Sequence, residues 1–347
     1  VMPFNVAVIG YGLGGRVFHA PYVSAVEGLR LAAIVSSRKE EIAQAYPGLP
    51  VYNDPALIWA DPGIDVVVIS TPNASHAALA TVALKAGKHV VIDKPFAETV
   101  EDAHALMELA KAETKDRILT VFHNRRWDGD FLTLKRLLRE GVLGDLTYVE
   151  SHFDLYRPNV STRWRETPGP SAGAWYDLGS HLLDQALNLF GIPDAIAADL
   201  SILRDGGTTT DYFRVVLKYG QQRVMLVGNY LARSDQRWIV HGSRASYIKR
   251  GLDPQQTMLV GGSSIGDVGF GVDPNPGYLV LPDGREVPVI AEKGDYRAFY
   301  ENLRDCLKGI APLAVPAREG FLVMKLLALA EKASREKREI LLTPGFP

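Results

Sequence analysis

Asn5-Val-Ala-Val-Ile9-Gly10-Tyr-Gly12-Leu-Gly14-Gly15 carries a β-branched run straight into glycines spaced G-x-G-x-x-G. The run has the near-continuous apolarity of a strand buried on both faces. After it, Gly10 suits a tight turn, Gly12 the close approach of a pyrophosphate to the backbone, and Gly15 close packing of the next helix on the strand. The amides at that helix N-terminus would face the anion. Glycines also serve plain turns. Here the strand before them and the helical pattern after them favour a dinucleotide fingerprint, with Gly10, Tyr11, Gly12 and Gly15 as candidate cofactor contacts.

Outward from this stretch the alternation continues. Strand-like runs at 30–35, 65–70, 89–92 and 117–122 are separated by helical patterns at 16–26, 40–45, 74–86 and 100–113. Strand, helix, strand in series predicts an α/β Rossmann domain over residues 1–122, a doubly wound parallel sheet with right-handed crossovers. Ligands in such sheets lie beyond the carboxyl ends of the strands, so the strand tips are the places to look for site residues. The second tip, Ser36-Ser37-Arg38, lacks the carboxylate that would hold the ribose hydroxyls of NAD. Two hydroxyls and a planar guanidinium suit a 2′-phosphate and predict NADP. NAD stays possible if Glu40 or Glu41 reaches back to the ribose. The third tip continues into Thr71-Pro72-Asn73-Ala-Ser-His76, whose Thr71, Pro72, Asn73 and His76 are candidate cofactor contacts. The fourth is Asp93-Lys94-Pro95, where the proline holds the lysine in an extended turn and makes Lys94 a fixed positive charge at the mouth of the cofactor cleft.

Composition bounds the rest. A chain of 347 residues with an ordinary apolar share of 47% is long enough for two domains with real cores. A net charge of −2 without a long basic run argues against nucleic acid as a partner. One cysteine, Cys306, cannot form an internal disulfide and reads as packing, and no apolar run is long enough for a bilayer span or resembles a signal peptide. The expected location is the cytoplasm, with no membrane partner.

Beyond residue 123 the pattern changes. Strand-like runs at 146–153, 195–203, 212–218, 223–229, 238–241, 246–249, 278–281 and 286–290 are split by Asp, Gly and Pro turns, and helical patterns at 295–307 and 316–334 follow. Runs of strands after alternating units mean a separate α+β architecture, expected over 123–347. Within it, Trp175-Tyr-Asp-Leu-Gly-Ser-His-Leu-Leu-Asp184 puts Asp177 and His181 four positions apart, on one face of a predicted helix. Alone, the pair fits a catalytic dyad, half a metal site, or a helix-start aspartate beside a packed histidine. No third ligand stands at metal-site spacing, and no metal is expected.

Taken together, Gly10-x-Gly12-x-x-Gly15, Thr71-Pro-Asn-x-x-His76, Asp93-Lys-Pro95 and Asp177-x-Gly-x-His181, in this order, resemble the glucose-fructose oxidoreductase/inositol dehydrogenase/MocA family over the whole chain. Phe122-His-Asn-Arg-Arg-Trp-Asp128 and Arg163-Trp-Arg-Glu166 are similar to the branch with NADP-dependent scyllo-inositol dehydrogenases. Asp93 departs from the glutamate usual before Lys-Pro. The resemblance implies a C-terminal domain with an open, mainly antiparallel sheet through which the chain forms a homodimer or homotetramer. It also implies that Trp164 and Arg165 lie near the nicotinamide, with Asn124 and Arg126 near the fifth strand tip.

The chemistry follows from these groups. Taking hydride from a carbinol carbon requires a base for the hydroxyl proton and positive groups for the developing alkoxide. His181 is the candidate base, Asp177 the carboxylate that orients the substrate hydroxyl or the imidazole, and Lys94 the cation that lowers the hydroxyl pKa; the division of proton transfer between Lys94 and His181 stays open. Asn124, Arg126, Tyr156, Arg157, Arg163, Trp164 and Arg165 offer donors and aromatic faces suited to a polyol or sugar, an inositol-like ring being favoured; each arginine singly could be an exposed ion-pairing residue. A nicotinamide-binding regulator without turnover and a redox-neutral glycoside hydrolase that retains NAD are the alternatives on the same fold.

Overall fold

Six parallel strands form the first sheet: β1 (Phe4–Ile9), β2 (Leu29–Val35), β3 (Val51–Tyr52), β4 (Val66–Ile69), β5 (His89–Ile92) and β6 (Leu119–Val121), in the order β3-β2-β1-β4-β5-β6. The strand order reverses between β1 and β4, the switch point at which such sheets leave a crevice. Every side chain of β4 is buried, which is why its sequence is a plain Val-Val-Val-Ile run. This is a computed structural model. It describes residues 2–114, 116–343 and 345–346.

The described chain divides into two units. The first holds residues up to Asn124 together with Leu259–Phe270 and Tyr296–Met324, and the second holds Arg125–Met258, Gly271–Asp295 and the residues from Lys325 on.

Two features of the first unit were not legible in the hydrophobic pattern. The helix expected over 16–26 starts as a π-helical turn, Gly14–His19, before continuing as the α-helix Ala20–Ala25. β3 is two residues long, too short for a periodicity to declare it.

The second unit carries nine strands: β7 (Leu146–His152), β8 (Ala195–Ser201), β9 (Tyr212–Tyr219), β10 (Gln222–Asn229), β11 (Gln236–Gly242), β12 (Ser246–Arg250), β13 (Gly277–Val280), β14 (Glu286–Val289) and β15 (Ile340–Leu341). Their order is β14-β13-β12-β11-β7-β10-β9-β8-β15, antiparallel at every joint except β7 with β10. Phe213, Val215 and Leu217 alternate inward along β9, with Trp175 packed edge-on against Phe213 at 5.1 Å. The helix Ser180–Phe190 buries Leu182, Leu183 and Ala186. A further helix, Gly129–Glu140, buries Phe131, Leu134 and Leu137 at helical spacing; it falls in a stretch from which no helix was expected.

Candidate functional site

The glycine turn after β1 is shaped by contacts a side chain would destroy. Gly10 has φ +97° and a Cβ there would stand 2.2 Å from the Ser70 carbonyl oxygen; at Gly15 it would stand 2.0 Å from the Gly10 oxygen. At Gly12 it would meet nothing within 4 Å, so this edge of the turn stays open to a bound group. That combination fits a dinucleotide pyrophosphate.

At the tip of β2, the Ser36 hydroxyl accepts from the Arg38 amide at 3.2 Å. Arg38 and Arg16 both reach the carboxylate of Glu41, at 3.4 and 3.5 Å, and all three are half-exposed. Burial, and then Glu41, raise the Tyr11 hydroxyl pKa.

Past β4, the buried His76 ring spans two carbonyls, Nδ1 2.9 Å from Pro95 O and Nε2 2.9 Å from Thr71 O, and so ties the tip of β4 to that of β5. Thr71 Oγ1 meets Ser75 Oγ at 2.7 Å, and Asn73 is buried. Asp93 accepts from the Ser70 hydroxyl at 3.0 Å and from the Lys94 amide at 2.8 Å, with His19 Nε2 3.4 Å away. Burial alone would raise its pKa, but His19, His76 and Lys94 together hold its carboxyl well below the usual range. Lys94 precedes a cis peptide to Pro95.

In the second unit, Asp177 does not sit in an α-helix as its spacing from His181 predicted. Trp175–Gly179 is a π-helical turn, and the α-helix starts at Ser180. Gly179 packs closely within this turn. A Cβ there would lie 2.1 Å from the Trp175 indole, which packs into the turn and donates from Nε1 to Leu327 O at 3.0 Å. His181 is buried with its ring 6.3 Å from that of Phe153, and Arg125 lies over the other ring partner, 4.6 Å from the Phe153 centroid. Arg165 Nε stands 3.4 Å from Asp177 Oδ1, and its guanidinium stacks on Trp164 at 4.5 Å. Burial, and then the Asp177 carboxylate, push the Tyr230 hydroxyl above its usual range.

The segment carrying Arg163, Trp164 and Arg165 is fastened from beneath by a residue that belongs to no sequence motif. Arg204, nearly fully buried, donates to Glu166 (2.9 Å), Asp211 (2.9 Å), and the carbonyls of Arg157 (3.0 Å) and Asn159 (3.2 Å). Glu166 in turn accepts from the amide and hydroxyl of Ser161. Arg126 is placed differently from its expected role as a substrate donor: it is buried and forks onto Asp184, at 2.9 and 2.5 Å, one turn beyond His181. Tyr156 is half-exposed beneath Arg233, whose guanidinium lies 3.6 Å from its ring centroid. Asn124, which closes the first segment of the first unit, is buried.

Against known proteins, the description "Oxidoreductase family, NAD-binding Rossmann fold" matches residues 4–123, and "Oxidoreductase family, C-terminal alpha/beta domain" matches residues 135–342. The chain belongs to the Gfo/Idh/MocA oxidoreductase family. It is 46% identical to the oxidoreductase YdgJ of Escherichia coli, covering 97% of this chain and 98% of that one. Identity to scyllo-inositol 2-dehydrogenase (NADP(+)) IolW of Bacillus subtilis is 36%, over 97% and 96% of the two chains. Among solved structures, an oxidoreductase of Yersinia pestis superposes with a TM-score of 0.94 at 44% identity, covering 99% and 98%. The protein is therefore an oxidoreductase with an NAD(P)-binding Rossmann domain and a second, mostly antiparallel sheet, as its motifs implied. Among the described residues no helix is long and apolar enough to cross a membrane.

Proposed function

We propose that this oxidoreductase uses NADP to interconvert a secondary alcohol and a ketone on a polyol or sugar, an inositol-like ring first. The observation that carries the reading is the Asp177–His181 turn with Arg165 held against Asp177, in a chain that also retains Lys94 after β5. Similarity to an NADP-dependent inositol dehydrogenase supports the substrate class and the cofactor. Gly10, Tyr11, Gly12 and Gly15 would hold the pyrophosphate, Ser36, Ser37 and Arg38 the 2′-phosphate, and Thr71, Pro72, Asn73, His76 and Asp93 the strand tips around it. Bound nicotinamide supplies the hydride acceptor or donor.

The protein's own part is proton and charge management. His181 takes the hydroxyl proton in oxidation and returns it in reduction, imidazole being a common general base and acid. Asp177 orients that exchange, with Arg165 limiting where its carboxylate can point. Lys94 stabilises the alkoxide as it forms. Trp164 and Asn124 would contact the nicotinamide end, while Tyr156 and Arg163 would receive substrate hydroxyls; Arg126 acts at one remove, by bracing the His181 helix through Asp184. Residues 1–122 would carry the cofactor and 123–347 the substrate and the subunit contacts of a cytoplasmic dimer or tetramer.

A polyol panel, inositols included, assayed with NADP and with NAD by absorbance of the reduced cofactor tests this. Turnover of at least one polyol is expected, falling by about a hundredfold or more in Lys94→Ala and in His181→Ala. Unchanged turnover in both variants would sink the assignment.

A further inference from the structure

We propose that His19, held from behind by Tyr300, is a positioning residue that fixes the Asp93 carboxylate and through it Lys94. The inference rests on the reading of Lys94 as a group of the reaction. Every contact it uses lies within the first unit.

His19 is the last residue of the π turn that follows the glycine fingerprint, and its side chain is wholly buried. Nδ1 lies 2.6 Å from the Tyr300 hydroxyl, and Nε2 lies 3.4 Å from Asp93 Oδ2. A carboxylate facing Nε2 calls for an N–H there. Nδ1 then either accepts from Tyr300 or, in the imidazolium, donates to it. Phe122 closes one side of the ring at 4.4 Å and is itself packed edge-on by Phe299 at 4.8 Å. A side chain chosen only to fill this aromatic pocket would be apolar, since burying an imidazole costs free energy unless its nitrogens find partners; here Nδ1 has the Tyr300 hydroxyl, and Nε2 faces the Asp93 carboxylate at ion-pair distance without a hydrogen bond.

The carboxylate it faces has further partners. Ser70 donates to Oδ2 and the Lys94 amide to Oδ1. Above it is the glycine turn: a Cβ at Gly14 would stand 2.4 Å from Asp93 Oδ2 and 2.3 Å from Ser70 Oγ. Gly14 is not one of the three fingerprint glycines; a side chain there would have to displace the Asp93 carboxylate and the Ser70 hydroxyl. The cofactor turn, the first helix and the Lys94 strand tip are thus joined through one carboxylate, with His19 as the strut. The titratable groups facing Asp93 are His19, His76 and Lys94, and Tyr300 stands behind His19.

The test reads Lys94 directly in the cofactor-free protein. Amine labelling of Lys94 with a limiting acylating reagent, followed by peptide mass spectrometry from pH 6 to 11, gives its titration midpoint. In His19→Gln that midpoint is expected to move by about half a pH unit or more, with a smaller movement in Tyr300→Phe. In turnover, kcat should fall by about tenfold or more while KM changes little, as expected for a misplaced reacting group. If His19→Gln fails to fold, Tyr300→Phe and Ser70→Ala, each lacking one oxygen, carry the measurement. Labelling profiles that coincide with wild type in the folded variants would overturn the proposal. Undiminished turnover in Lys94→Ala would instead remove the role given to Lys94 and leave the labelling result standing.

Discussion

Arg16 and Arg38 share one carboxylate, Glu41, at half-exposed positions beside the tip of β2. An exposed pair of this kind is worth at most about 1 kcal/mol, so both guanidinium groups can exchange Glu41 for a doubly charged 2′-phosphate at little cost. If that phosphate is their ligand, Arg38→Ala should raise the KM for NADP by about tenfold, the equivalent of one charge-assisted hydrogen bond, and leave the KM for NAD where it was. Steady-state kinetics with both cofactors decides; equal effects on the two would mean that Arg38 serves only its helix. Residue identities of this kind are legible in sequence because a strand tip has a known place in the fold. The reasons for Gly14 and Gly179 are not, since each is dictated by a neighbour distant in the chain or bulky in the turn, Asp93 in one case and the Trp175 indole in the other.

Among the elements, the segment with Arg163, Trp164 and Arg165 has little regular structure beyond the 3-10 turn Trp164–Glu166. Its order comes from Arg204, which joins two carboxylates and two backbone carbonyls beneath it. Removing one member of a buried charge network leaves the others uncompensated, at a cost of about 3–5 kcal/mol. Arg204→Met should therefore lower the urea midpoint by a corresponding amount and open the 157–167 segment to limited proteolysis, with kcat/KM falling under conditions where the variant stays folded. Wild-type cleavage at that segment would show that other contacts hold it. Nothing in the local pattern around Arg204 announces this, because an arginine in a turn reads as exposed until its partners are known.

At the scale of the molecule, one carboxyl ties stability to pH. Asp253 accepts from the amides of Gly129 (2.6 Å) and Gln255 (2.9 Å) at the start of the helix Gly129–Glu140. Burial, then the neighbouring Asp128, push it up to about 8, with Asp130 adding to the effect. A carboxyl raised in the folded state holds a proton that the unfolded chain releases above its ordinary value near 4. Stability is thus full below about pH 4, declines as pH rises towards 8 and levels off beyond. Urea unfolding of wild type and Asp253→Asn from pH 5 to 9 should show wild type losing stability relative to the variant across that window. Parallel curves would mean that Asp253 ionises freely.

Most of the two-sheet architecture was carried by the sequence itself. Buried parallel strands must be apolar along their length, and a nucleotide turn must be glycine where backbone meets backbone, so β1 with Gly10 and Gly15 identifies the first sheet from sequence alone. The alternating strands of the second sheet and the Asp177–His181 motif could be read in the same way. What depended on the tertiary structure was the surroundings of those groups: π turns at Gly14–His19 and Trp175–Gly179 where α-helix was expected, His19 and Tyr300 behind Asp93, Arg204 beneath Trp164 and Arg165, and Arg126 closed on Asp184. The physical reason is range. Periodicity and turn chemistry act over a few residues and leave their mark on local sequence, whereas a buried charge or imidazole is explained only by partners that folding brings from far along the chain, 281 positions away for His19 and Tyr300.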